Sequence, residues 1–88
     1  MAGQYEEAIE AYKKALHLNP KDTFAIIDLA IAYSLAGRKE EAKVMAEKFL
    51  LIAPKFSVKR FEERQSLYKN PADTALVADA MRKAGLPD

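Results

Sequence analysis

Apolar residues return every three or four positions from Tyr5 onward. Tyr5, Ala8, Ile9, Tyr12, Ala15 and Leu16 therefore fall on one side of a helix. Glu6, Glu7, Glu10, Lys13 and Lys14 take the other side, acids early and lysines late, which suits the helix dipole. Asn19-Pro20 ends this helix, because proline pushes the residue before it out of helical geometry. Asp22 or Thr23 caps a second helix that runs to about Ala36, with Gly37 as its left-handed stop. A third runs from about Lys39 to Ile52 and closes at Ala53-Pro54. Ser57 caps a short fourth helix with Val58, Phe61 and Tyr68 on one side. Asn70-Pro71 opens a fifth, with Asn as cap, Pro at the first helical position and Asp73 in the first turn. Its stripe is Leu76, Val77, Ala80, Met81 and Ala84; Arg82 and Lys83 sit near the negative end, and Gly85-Leu86-Pro87 stops it. The predicted spans are about 4–18, 23–36, 39–52, 57–67 and 71–84, an all-α fold of antiparallel helical hairpins.

The first and third helices share a register. Gly3 and Gly37, Ala8 and Ala42, and Pro20 and Pro54 each stand 34 residues apart. Glu6/Glu40, Glu7/Glu41, Lys14/Lys48, Leu16/Leu50 and Lys21/Lys55 follow the same offset. Chance rarely aligns a glycine, an alanine and a proline at one spacing. A 34-residue helix–turn–helix unit is the period of the tetratricopeptide repeat, or TPR, and the chain resembles that family over about residues 3–54. Ile26, Leu29, Ala30 and Tyr33 stand where the family has its Trp, Leu, Gly and Tyr in helix A. Gly37 falls at the turn, Ala42 at the small residue of helix B, and Pro54 at the closing proline. In the earlier copy Gly3, Ala8, Tyr12, Ala15 and Pro20 match the helix-B half. Ile26 for Trp and Ala30 for Gly are departures, and Ala46 with Phe49 reverses the family's large-then-small pair. That reversal roughly keeps total volume, so it predicts local repacking and no change of fold.

The resemblance implies one domain over 1–88: a half repeat lacking helix A over 3–20, a full repeat over 23–54, and capping helices over 57–86. A repeat array needs a terminal cap with a polar outer face. The tail also resembles the end of TPR regions in bacterial proteins that carry an adenylate/guanylate cyclase domain. Phe56-Ser57-Val58, Phe61, Tyr68-Lys69-Asn70-Pro71-Ala72-Asp73 and Arg82-Lys83-Ala84-Gly85-Leu86-Pro87 carry that likeness. It implies a C-terminal regulatory fragment of a larger signalling enzyme, and it transfers no activity, since 88 residues cannot hold a cyclase domain.

Composition narrows the chemistry. The 14 basic and 13 acidic side chains nearly cancel, so nothing points to nucleic acid or to an anionic membrane. With no cysteine, disulfides, thiolate catalysis and Cys-built zinc sites are excluded. The first seven residues do not read as a signal peptide, and the longest wholly apolar run, 49–53, is far short of a membrane span. A soluble cytoplasmic chain is the expectation.

No residue set reads as catalytic. His17 is the sole histidine, placed near a helix end and without a second metal ligand. Glu6/Glu7, Glu40/Glu41 and Glu62/Glu63 are adjacent acids on amphipathic helices and point to solvent. Lys59, Arg60 and Arg64 interleave with Glu62 and Glu63 as a solvated face. There is no glycine-rich phosphate loop, Ser-His-Asp set or HExxH pattern. No cofactor or metal is expected.

The TPR resemblance implies a protein- or peptide-binding scaffold. Helix-A residues line the concave face in that family, which here means Phe24, Ile27, Asp28, Ile31, Ser34 and Leu35. Members that clamp a C-terminal carboxylate carry Lys, Asn or Arg at several of these positions. Ile27, Asp28 and Ile31 instead make an apolar groove with one acid, suited to an amphipathic helix or a hydrophobic peptide, unless packing within the chain takes the same residues. A half repeat would also leave Tyr5, Ile9, Tyr12 and Leu16 without cover, an edge expected to self-associate about a two-fold axis or by helix exchange.

Overall fold

The computed structural model describes residues 2–65 and 71–88. Five helices and no strand occur among the described residues: α1 (Ala2–Leu18), α2 (Thr23–Leu35), α3 (Lys39–Ile52), α4 (Val58–Gln65) and α5 (Pro71–Lys83). The all-α hairpin architecture is as expected. The Tyr68 position and the Asn70 cap lie outside the described residues, as does the Asp73 side chain.

Local chemistry sets the boundaries. Asp22 supplies the α2 cap: its Oδ1 accepts from the Ala25 amide at 3.2 Å. Gly37 ends α2 at φ 82°. The Arg38 amide then donates to the Tyr33 carbonyl (2.8 Å), and the Gly37 amide to that of Ser34 (3.2 Å). This paired closure satisfies carbonyls that the helix end leaves open, and it needs a residue free to take positive φ. Gly85 closes α5 the same way, with Leu86 bonded to Met81 and both side chains buried. Ser57 Oγ accepts from the Arg60 amide at 3.2 Å at the start of α4. Gly3 differs from its register partner. It lies within α1 and carries helical backbone, because positive φ is required only where a chain leaves a helix.

α2 is the central helix. It packs on α1, α3 and α5, while α4 packs on α5. The core runs through Ile9, Ile26, Leu29, Tyr33, Ala42, Ala46 and Phe49 into Val58, Ala78, Met81, Ala84 and Leu86. The C-terminal hairpin thus docks through its second helix. The Val58 amide donates to the Pro87 carbonyl at 2.9 Å, tying the chain's end to the start of α4. Phe49 meets Phe56 edge-on at 4.9 Å between ring centres. The reversed pair on α3 therefore seats its large ring against the linker into α4.

Ion pairs brace the exterior. Arg38 forks onto Glu41 (2.7 and 2.9 Å), reaches Glu6 on α1 (3.0 Å), and lies 5.0 Å from the Tyr33 ring centre. Arg82 joins Glu62 and Asp88. Each of these pairs is exposed and screened by water, so it adds little to stability.

Candidate protein-binding groove

α1 and the α4–α5 hairpin rise on either side of α2 and enclose a groove of about 900 Å³. Tyr5, Ala8 and Tyr12 form the α1 wall. Phe24, Ile27, Asp28, Ile31 and Leu35 lie along the floor, where one helical period places 24, 27, 28, 31 and 35 together. Phe56, Phe61, Arg64, Thr74, Val77 and Met81 close the other side. The lining is mainly apolar and aromatic, with Asp28 and Arg64 as its charged groups. Phe24 is 80% exposed, an unusual state for a ring of that size. Burial, and second the negative charge of Asp28, push the Tyr12 phenol above its usual range.

The residues named from sequence divide clearly. Phe24, Ile27, Asp28, Ile31 and Leu35 share the groove, whereas Ser34 is not in its lining. Ile27 is only 8% exposed and is largely occupied by packing within the chain. Of the four edge residues, Tyr5 and Tyr12 line this same groove. Ile9 is fully buried in the core, so it cannot belong to an open edge; α2 packs over that side of α1. Leu16 is half-buried against the core. Tyr5 and Tyr12 thus share one surface with Phe24, Ile27, Asp28, Ile31 and Leu35. Sequence reasoning missed the far wall. Val77 and Met81 were legible as a helical stripe, but nothing in the chain's pattern says which helix that stripe meets.

Other candidates resolve into structure. Glu6 and Glu41 bind Arg38, and Glu62 binds Arg82. Arg60 and Arg64 share a shallow hollow with Lys55 and Glu63; Lys59 is not part of it. His17 is exposed on the last turn of α1 beside Lys13, Lys14 and Leu18. Among the described residues no group of three or more His, Asp or Glu gathers as a metal site, and no buried side-chain polar atom lacks a hydrogen-bond partner. None of the described helices is long and apolar enough to cross a membrane.

A family model described as tetratricopeptide repeat matches residues 1–63, from α1 into α4. The chain belongs to the tetratricopeptide-repeat family. No curated protein and no solved structure gives a significant match. The TPR match covers α1, the groove floor and the α2–α3 repeat, whereas α5, which supplies Thr74, Val77 and Met81, lies beyond it.

Proposed function

We propose that the chain is a non-catalytic protein-interaction module whose groove over α2 receives an amphipathic helix or apolar segment of a protein partner. The observation that carries this reading is the exposed Phe24 ring, lying with Ile31 along the floor of a groove that Tyr5 and Tyr12 wall. Burying one large apolar side chain contributes roughly 1.5–3 kcal/mol, so covering this lining supplies a substantial part of a binding energy. Asp28 disfavours a partner carboxylate at the floor and favours a segment with a cationic or neutral polar group there. A second copy of the chain is one partner of this kind.

The alternative reading, a C-terminal regulatory fragment of a larger signalling enzyme of cyclase type, draws on the tail alone, and the tail's buried residues serve packing. Val58, Ala84 and Leu86 are buried, and Gly85 has φ 102°. Val58, Ala84 and Leu86, the landmarks of that likeness named here, have a packing role within the core. The test uses Phe24→Lys and Ile31→Lys, with Val44→Lys on the exposed side of α3 as control. Partners retained by the unaltered chain are lost from the first two variants and kept by the third. Retention by both folded groove variants would place the binding surface elsewhere.

A further inference from the structure

The arginines fall into two groups. Arg38 is held by Glu41 and Glu6, and Arg82 by Glu62 and Asp88. Arg60 and Arg64 make no ion pair among the described residues. They stand four positions apart on α4, so both guanidiniums leave one face of that helix. Lys55, from the turn before α4, joins them around a hollow of about 550 Å³ whose remaining lining is Phe56, Ser57 and Glu63.

Charge order sets α4 apart. α3 opens with Glu40 and Glu41 in its first turn, as the helix dipole favours. α4 opens with Lys59 and Arg60 and has no acid in its first turn. Cations there are repelled by the helix end, and Arg60 and Arg64 are repelled by one another. Glu62 is engaged by Arg82 on α5. Glu63 offsets one of the three positive charges around the hollow and leaves two. Where a chain breaks a local rule of stability, the reason is expected in function. The hollow is also continuous with the groove, because Phe56 and Arg64 line both. A segment lying in the groove can therefore set a side chain in the hollow.

We propose that this hollow takes a phosphate group, carried on a phosphorylated side chain of the protein segment that fills the groove. A phosphomonoester carries about −1.5 to −2 charges at neutral pH and so matches the two left over, whereas a carboxylate supplies one. Its three terminal oxygens suit two guanidiniums and an ammonium. Ser57 Oγ accepts from the Arg60 amide and keeps a hydroxyl proton to donate. Asp28 lines the groove but not the hollow, so the segment is anionic at its α4 end and neutral or cationic over α2. The proposal rests on the reading of the groove as a protein-binding surface.

NMR titrations of the intact chain test it. Inorganic phosphate should shift the amides of Ser57, Arg60 and Arg64 saturably, while acetate and chloride at equal ionic strength should not. Arg60→Ala and Arg64→Ala each weaken phosphate binding at least about tenfold. Lys59→Ala, outside the hollow, leaves it unchanged. Circular dichroism verifies that all three variants fold. An amphipathic apolar peptide is then compared with phosphoserine, glutamate or serine at one end. The phosphoserine form binds at least about tenfold tighter than the other two, and Arg64→Ala removes the difference. Equal shifts with phosphate, acetate and chloride, or equal losses in Lys59→Ala and Arg64→Ala, overturn the hollow as a site; binding of the serine peptide then still upholds the groove. Equal affinity for the glutamate and phosphoserine peptides overturns the choice of phosphate. Saturable binding of inorganic phosphate with no peptide bound overturns the groove reading and makes free phosphate the ligand.

Discussion

α1 and α3 are two copies of the same helix with different surroundings. They share the 34-residue register of Gly3/Gly37, Ala8/Ala42 and Pro20/Pro54. On α3, Ala42, Ala46 and Phe49 are buried. On α1, among the residues whose burial is described, Ile9 alone is buried, while Ala8 and Tyr12 border the groove and Ala11 is open. The difference is one of position and ring placement. The large residue stands at 12 on α1, where it reaches the groove. On α3 it stands at 49, one turn later in register, where it meets Phe56. Equal sequence landmarks fix where a helix begins and ends, and neighbours decide whether its face is core or open groove.

Matched substitutions break or sharpen this comparison. Phe49→Ala empties a buried ring site and is expected to cost about 3–5 kcal/mol, a large share of a small domain's stability. Tyr12→Ala removes a half-exposed ring and costs about 1 kcal/mol. Urea unfolding of both variants measures the gap, and equal losses would erase the asymmetry. Ala42→Leu overpacks the α2–α3 contact and costs about 1–3 kcal/mol, whereas Ala8→Leu stays within about 0.5 kcal/mol at low concentration.

The glycines predict opposite signs. Gly37→Ala strains a left-handed position that has open space around it, costing about 1–2 kcal/mol through backbone conformation alone. Gly3→Ala, in helical backbone, raises stability by at most about 1 kcal/mol. Thermal melts of the pair report both. The smallest effect is alkaline. The Tyr12 phenol ionises less readily in the fold than its ordinary 10.0, so the folded state favours the protonated form. That contribution is complete below the unfolded value and is lost as pH rises through the folded one. Unfolding midpoints between about pH 9 and pH 11 should fall more for the unaltered chain than for Tyr12→Phe.

Much of the fold was legible because its signals are local. Helical periodicity, the Asp22 and Ser57 caps and the Gly37 and Gly85 stops act within a few residues, and the structure shows each in place. The groove floor was legible for the same reason: 24, 27, 28, 31 and 35 share one helical face whatever surrounds it. The far wall was not. Which helix of the terminal hairpin docks on α2 depends on long-range packing through Phe49, Phe56 and Met81, and no spacing in the chain encodes it. Ile9 was misplaced for a related reason: one apolar stripe on α1 serves both the core and the groove, and periodicity alone does not divide it.

Amide NMR of the intact chain, recorded from about 1 mM down to about 10 μM, reads the contrast between the two helices directly. The groove faces of α1 and α2, around Tyr5, Ala8, Ala11, Tyr12, Phe24 and Ile31, should shift with concentration while Lys43, Val44 and Glu47 on the exposed side of α3 hold still. Shifts confined to α3, or none on α1, would contradict the proposal that the groove bordered by α1 takes up a protein partner, a second copy among them.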